Sequence, residues 1–165
     1  MERLLQAIHA GTPQLHLLLE VLVAMGLGAV IGYDRAASDK PAGLRTHMLV
    51  AAAAALFVGL AHIIVRTFGV GMPDQTIRSD PIRVFEAIIT GISFLGAGTI
   101  IRHRGDDRVE GITTAASLLM TAAIGATIGL SEWFLAFALT GIVFLVLRVM
   151  SRLKPHRRDH ADRDA

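Results

Sequence analysis

The chain has 165 residues but no cysteine, a single tryptophan, a single tyrosine and a charged fraction of only 18%. The absence of cysteine excludes disulfides and thiolate metal sites. The sequence also carries no complete set of nucleophile, base and orienting residue, and no cofactor motif. We therefore expect neither an enzyme nor a bound cofactor, and the apolar residues that dominate the composition have to explain the fold.

Five long apolar runs fill the middle of the sequence. They are Leu15–Ile31, Thr46–Val65, Val84–Ile101, Ile112–Leu130 and Trp133–Val149. Each run has about 17–20 residues, enough for a helix that rises 1.5 Å per residue to cross a hydrocarbon layer of about 30 Å. The few polar residues left over are too few to cover five such helices in water. The sequence thus predicts an all-α polytopic membrane protein, a bundle of five transmembrane helices in a lipid bilayer.

Lysine and arginine are distributed unevenly between the connections. If the N-terminus lies outside, twelve of the sixteen Lys and Arg residues fall on the inner side and four on the outer side. The positive-inside rule then predicts that the N-terminus is outside and the C-terminus inside. The sequence pI near 9.7 follows from these flanking cations, so we do not expect nucleic acid as a partner.

The segments outside the runs complete the domain organisation. Residues 1–14 are predicted as a short interfacial segment, 15–150 as the transmembrane domain, and 151–165 as a charged, disordered cytoplasmic tail. Between the last two runs, Gly129 suits a helix C-terminus and Ser131 an N-cap, which predicts a tight hairpin.

Small residues recur at four-residue spacing along several runs, as in Ala24, Gly28 and Gly32 or in Gly125 and Gly129. In lipid, helices associate through close packing and interhelical hydrogen bonds, and small residues let their backbones approach. These faces predict either packing within the bundle or contact with a second copy or another membrane protein.

Ionisable residues inside or at the ends of the runs form a first group of candidate functional residues. The group consists of Glu20, Glu86, His62 and Arg83. A carboxylate at membrane depth costs about 2.5–3.5 kcal/mol on insertion scales, so it usually has a partner. Two interpretations stay open: Arg83 or Arg66 neutralises Glu86 while Glu20 snorkels or pairs with His16, or Glu20, Glu86 and His62 form an outward-facing cation or proton site.

A second group of candidates lies towards the predicted inner side. It consists of Asp34, Arg35, Arg45, His47, Thr113 and Thr114. A solvated charged rim is the plain interpretation of these residues. Alternatively, Arg45 presents a guanidinium fork to a carboxylate or phosphate, and the hydroxyl of Thr113 or Thr114 caps the fourth helix or donates into a polar pocket.

Three sequence blocks resemble the MgtC/SapB family of bacterial inner-membrane proteins. The blocks are IGYDR at 31–35 followed by KPAGLRTH at 40–47, DPIR at 80–83 running into TGISFLGAGTI at 90–100, and GITTAAS at 111–117. The resemblance extends from about Leu15 to Val149. It implies a small multi-pass inner-membrane domain, and we do not expect the soluble cytoplasmic domain of longer members within these 165 residues.

The resemblance also implies a function linked to growth at low magnesium. We expect a non-enzymatic protein that regulates membrane or magnesium-linked physiology through contacts with other membrane proteins. The alternative is a small oligomeric cation or proton transporter that uses Glu20 and Glu86. Ion flux in proteoliposomes separates the two hypotheses, because only the second requires flux that depends on these carboxylates.

Overall fold

A computed structural model of the chain describes the backbone of residues 2–68, 81–102 and 109–153, and side chains within 13–65, 82–101 and 109–150. Within these ranges the prediction of an all-α protein with five helices is confirmed. The helices are α1 (Glu2–Ala37), α2 (Leu44–Phe68), α3 (Pro81–Gly98), α4 (Ile112–Gly129) and α5 (Trp133–Leu153). A short antiparallel pair, β1 (Ile101–Arg102) and β2 (Val109–Glu110), precedes α4 and was not predicted.

The helices extend beyond the apolar runs at several ends. α1 is continuous from Glu2 through Pro13 to Ala37, so its backbone joins the predicted N-terminal segment to the first run. α2 begins two residues before its run, at Leu44. α5 reaches Leu153, three residues into the predicted tail, and residues 154–165 lie outside the described part of the chain. Apolar composition thus locates a helix, while polar residues can still continue it past the apolar run.

Within the residues whose side chains the structure describes, four helical segments are long and apolar enough to cross a membrane. They are Pro13–Ala37, Leu44–Val65, Ile112–Gly129 and Trp133–Met150. α3, which carries Arg83 and Glu86, is not among them. The outer surface bears large exposed apolar side chains, including Phe94 at 80% and Phe134 at 88% exposure. A soluble protein rarely exposes apolar surface on this scale, whereas lipid-facing helices do.

The centre of the bundle is formed by α1, α2 and α4, which approach one another through glycines. A Cβ atom on Gly28 would lie 2.5 Å from the His47 carbonyl oxygen, and one on Gly129 would lie 2.6 Å from the Ala55 carbonyl oxygen. Gly125 likewise lies directly against the Ala51 backbone. These contacts leave no room for a side chain, so the prediction of small-residue packing faces is confirmed within the bundle.

The same contacts give the relative directions of the helices. Gly125 meets Ala51 and Gly129 meets Ala55, so α4 runs parallel to α2. Along α1, Gly28 meets Ala51 and Gly32 meets Leu44, so α1 runs antiparallel to α2. We call one end of the bundle the α1–α2 end, because residues 38–43 connect α1 to α2 there. We call the other the α4–α5 end, because residues 130–132 connect α4 to α5 there.

Candidate functional site

A buried polar cluster at the α1–α2 end is centred on His47. The imidazole is completely buried; its Nδ1 lies 2.9 Å from the Gly43 carbonyl oxygen and its Nε2 lies 3.1 Å from the Ser117 hydroxyl. Ser117 also donates to the Thr114 carbonyl oxygen at 2.8 Å, and the buried Thr121 hydroxyl donates to the Ser117 carbonyl oxygen at 2.8 Å. The cluster therefore joins the first turn of α2 to α4 through side-chain hydrogen bonds.

The hydrogen positions in this cluster are constrained by its donors and acceptors. A neutral imidazole that donates from Nδ1 to the Gly43 carbonyl leaves Nε2 as an acceptor. The single Ser117 hydroxyl proton then has two acceptors within reach, His47 Nε2 and the Thr114 carbonyl oxygen. A protonated imidazole would donate to both Gly43 and Ser117. The cluster can thus be satisfied in either protonation state by rotation of one hydroxyl.

A second buried group at the same end is an ion pair between neighbouring residues. Arg35 Nη2 lies 2.7 Å from Asp34 Oδ2, and both side chains are at most 4% exposed. The other carboxylate oxygen, Oδ1, lies 3.4 Å from Nη1 of Arg148 on α5. Arg35 Nε is buried and has no hydrogen-bond partner among the described residues. Because an isolated charge is costly at membrane depth, the two side chains neutralise each other on α1, and the carboxylate also reaches α5 through Arg148.

At the α4–α5 end the buried charged group is Glu20. Its Oε1 accepts a 2.7 Å hydrogen bond from the Ser131 hydroxyl and lies 3.4 Å from His16 Nδ1, one turn earlier on α1. Its Oε2 lies beside Gly59 of α2, 3.8 Å from the position a Cβ atom would occupy. The predicted pairing of Glu20 with His16 is thus present, and Ser131 is the additional donor.

The remaining predicted residues are exposed on several helices. Glu86 and Arg83 lie on α3, His62 lies on α2, and Arg45 and Thr113 lie near the first turns of α2 and α4. Among the described side chains, no hydrogen bond or ion pair joins Glu86 to Arg83, or Glu20 to Glu86 or His62. Arg66, the other predicted partner of Glu86, lies outside the described side chains.

Two predictions of helix capping are wrong. The N-cap of α4 is Gly111, whose φ of 94° favours glycine, and no side chain caps it; Thr113 and Thr114 lie inside the helix instead. Ser131 has a left-handed φ of 61°, and α5 begins two residues later at Trp133. Its hydroxyl donates a charge-assisted hydrogen bond to Oε1 of Glu20.

Sequence reasoning missed Ser117, Ser131 and Arg148 as partners of the predicted residues. Ser117 could have been found, because Thr114, Ser117 and Thr121 continue the stripe of Gly125 and Gly129 along one face of α4. Ser131 and Arg148 left no comparable signal, since each meets its partner more than a hundred residues away.

The chemistry of these sites is that of hydrogen bonding and charge pairing inside a membrane bundle. No group of three or more His, Asp or Glu side chains in the described ranges is arranged to hold a metal ion. The buried polar residues Asp34, His47 and Glu20 each have partners on the same or another helix. Together with the apolar spans, the arrangement defines a multi-pass helical membrane protein whose buried polar groups link its helices.

The chain belongs to the MgtC family, whose family model matches residues 21–156. It is 38% identical over 146 residues to the protein SrpB of Synechococcus elongatus, an alignment that covers 85% of this chain and 78% of SrpB. It is 38% identical over 136 residues to the protein MgtC of Salmonella typhimurium, with 82% of this chain and 52% of that protein covered. These matches confirm the resemblance inferred from the three sequence blocks.

Another relative carries a name that mentions an activity. The protein YhiD of Escherichia coli, named a putative magnesium transporter, is 36% identical over 135 residues, which cover 81% of this chain and 59% of YhiD. The chain therefore spans little more than half the length of MgtC and YhiD. No solved structure matches the chain.

Proposed function

We propose that this protein is a non-enzymatic regulator in the bacterial inner membrane, acting on membrane or magnesium-linked physiology through contacts with other membrane proteins. The observation that carries the proposal is the occupation of the buried ionisable groups by partners inside the chain. Glu20 is bound by Ser131, Asp34 by Arg35, and His47 by Ser117. Groups that are paired inside the bundle stabilise it. The outer faces of the helices are then the surfaces that contact partners.

The proposal includes five membrane crossings. α2 and α4 run parallel, so both cross the bilayer in the same direction. The segment between them has to return the chain to the side from which α2 started, and α3 is the helix of 18 residues within it. Arg83 and Glu86 lie within its first two turns, where long side chains reach the interface. With five crossings, the distribution of Lys and Arg supports an outer N-terminus and an inner C-terminus.

A contact face for partners is available on α1. Leu19, Leu22, Gly26 and Val30 form an exposed stripe along this helix, and a Cβ atom on Gly26 would meet nothing within 4 Å. This differs from Gly28 and Gly32, which are packed against α2. An open glycine in an apolar helix face allows another helix to approach closely, which supports this stripe as a contact face.

The test of this proposal is purification of the tagged full chain from native membranes, followed by identification of co-purifying proteins. Gly26→Phe is expected to remove the specific partner, since the new ring separates the helices. Gly141→Phe is the matched control, because Gly141 on α5 is equally open. Retention of every partner by Gly26→Phe would contradict the proposed face.

Cation or proton transport by an oligomer is the alternative, and it is favoured by the burial of Glu20 within a membrane-spanning segment and by the printed name of YhiD. It predicts Mg²⁺ or proton flux into proteoliposomes that is lost in Glu20→Gln and Glu86→Gln while both variants still insert. The regulatory proposal predicts no flux above empty liposomes. Flux that depends on the two carboxylates would contradict the regulatory proposal and support the transport alternative.

A further inference from the structure

An apolar groove of about 940 Å³ lies between α2 and α3. α3 packs mainly on α4 and touches α2 only sparsely, so the two helices diverge and leave the space open. Leu49, Ala53 and Phe57 form part of the α2 wall, and Ile88, Gly91 and Leu95 form part of the α3 wall. A Cβ atom on Gly91 would meet nothing within 4 Å, so the groove is open at its middle.

The polar residues that line the groove are Arg45, Thr46 and Arg83. Arg45 and Thr46 lie in the first turn of α2 at the α1–α2 end, and Arg83 lies in the first turn of α3 at the opposite end. No carboxylate in the described part of the chain is within ion-pair distance of either arginine. A groove lined by two cations and no carboxylate repels a metal ion or proton and attracts an anion.

We propose that this groove binds an anionic phospholipid, with its phosphate on the Arg45 guanidinium and the Thr46 hydroxyl and its acyl chains between α2 and α3. Charge complementarity at the mouth and apolar walls along its length match the two halves of such a molecule. The guanidinium fork matches two phosphate oxygens, and the neighbouring hydroxyl adds a third donor.

Arg45 is the headgroup ligand in preference to Arg83 for two reasons. The groove residue next to Arg45 is Thr46, a hydroxyl donor, whereas the one next to Arg83 is the apolar Val84. In the proposed orientation the α1–α2 end faces the cytoplasm, where the leaflet surface is anionic and basic pockets between membrane helices bind lipid headgroups. The lipid site does not depend on the regulatory function, because a transporter of the same topology would carry it too.

Native mass spectrometry of the detergent-solubilised full chain tests the site directly. With phosphatidylglycerol as the probe we expect a bound lipid at mole fractions where phosphatidylethanolamine gives none. Arg45→Gln should weaken phosphatidylglycerol binding about tenfold, the effect of losing roughly one charge-assisted interaction. Lys40→Gln removes an exposed cation near the same end that does not line the groove, and it should leave binding unchanged. Arg83→Gln, at the far end of the groove, should weaken binding less than Arg45→Gln.

A second pair of variants tests the apolar part of the groove. Gly91→Phe places a ring in the open middle and should abolish lipid binding, while the matched Gly141→Phe, on a face away from the groove, should not. Circular dichroism and the elution volume of each variant verify that it is folded. Thr46→Val, which keeps the shape of its side chain, is the milder second test of the headgroup site.

Several results would overturn the proposal. Equal binding of phosphatidylethanolamine and phosphatidylglycerol would remove the anionic specificity, and an effect of Arg83→Gln alone would move the headgroup to the other end. Displacement of the lipid by millimolar inorganic phosphate would indicate a site for the free anion. A groove that takes no lipid in wild type but captures an apolar peptide helix would belong to a protein partner. None of these outcomes bears on ion flux or on the Gly26 face.

Discussion

The Ser131 hydroxyl donates a 2.7 Å hydrogen bond to Oε1 of Glu20, and this contact joins the α4–α5 turn to α1 across 111 positions of sequence. Glu20 is 4% exposed. Ser131 has a left-handed φ of 61°, and the amides of Ser131 and Glu132 donate to the carbonyl oxygens of Ile128 and Thr127, the pattern of a helix that ends at a left-handed residue. The end of α4 therefore positions the Ser131 hydroxyl, and the carboxylate is stabilised by a donor that belongs to neither α1 nor its neighbour α2.

Ser131→Ala should destabilise the bundle by about 1–2 kcal/mol, because a buried carboxylate loses a charge-assisted hydrogen bond. Ser131→Gly also removes the hydroxyl but relieves the left-handed backbone, so it should cost less. Unfolding in mixed micelles, followed by circular dichroism, measures both. In a Glu20→Gln background the cost of Ser131→Ala should shrink, and strictly additive effects of the two substitutions would show that the residues are not coupled.

Glycines of the same helix bundle should respond oppositely to alanine. Gly125→Ala places a methyl group against the Ala51 backbone and should cost about 1–3 kcal/mol, since one of two packed helices has to move. Gly141→Ala meets open space and should be neutral or stabilising by up to about 1 kcal/mol through helix propensity. The same unfolding measurement compares them, and equal behaviour of the two variants would contradict the close approach of α2 and α4.

The helices were predictable because membrane crossing imposes a length and an apolar composition that are visible in the sequence. The pairing of His47 with Ser117 was not predictable, because it depends on the parallel packing of α2 and α4. Small residues indicated which faces pack, since only glycine fits where Gly125 meets Ala51. The four-residue spacing of Ala24, Gly28 and Gly32 also separated the packed Gly28 from Gly26, which lies off that stripe and is open.

The ion pair of Asp34 and Arg35 should be far more sensitive to the loss of one partner than to the loss of both. Asp34→Leu leaves a buried guanidinium without its counter-ion and should cost about 3–5 kcal/mol. The double variant Asp34→Leu with Arg35→Met should recover most of that loss, as apolar replacements of buried pairs often do. Arg148→Gln should cost less than about 1 kcal/mol, because Arg148 is 49% exposed and 3.4 Å from the carboxylate.

The contribution of the His47 cluster to stability can be measured by removing one hydroxyl from it and, as a control, one hydroxyl from elsewhere on α4. Ser117→Ala removes the group that faces Nε2 of a fully buried imidazole and should cost about 1–2 kcal/mol. Thr127→Val also removes a hydroxyl from α4, but that hydroxyl bonds only to carbonyls of its own helix, so the variant should stay near wild type. Comparable losses in the two variants would mean that the interhelical bond contributes nothing.

The orientation of the bundle can be tested cleanly because the chain has no native cysteine. Ser38→Cys lies in the α1–α2 connection and Glu132→Cys lies in the α4–α5 turn, at opposite ends of the bundle. In intact cells a membrane-impermeant maleimide should label Glu132→Cys and leave Ser38→Cys unlabelled until the membrane is opened. The reverse pattern would invert the proposed orientation while keeping the fold.

Reporter fusions to the two termini then decide whether α3 crosses the bilayer. Five crossings place the termini in opposite compartments, with the N-terminus outside, whereas four place them together. Since α2 and α4 are parallel, a chain with both ends on one side would need α3 to stay at one surface while residues 69–111 still connected opposite ends of the bundle. α3 has 18 residues, so at 1.5 Å rise per residue it is about 27 Å long. It can connect the two ends of the bundle only if it crosses the bilayer. Termini found in the same compartment would therefore contradict both the fifth crossing and the parallel packing of α2 and α4.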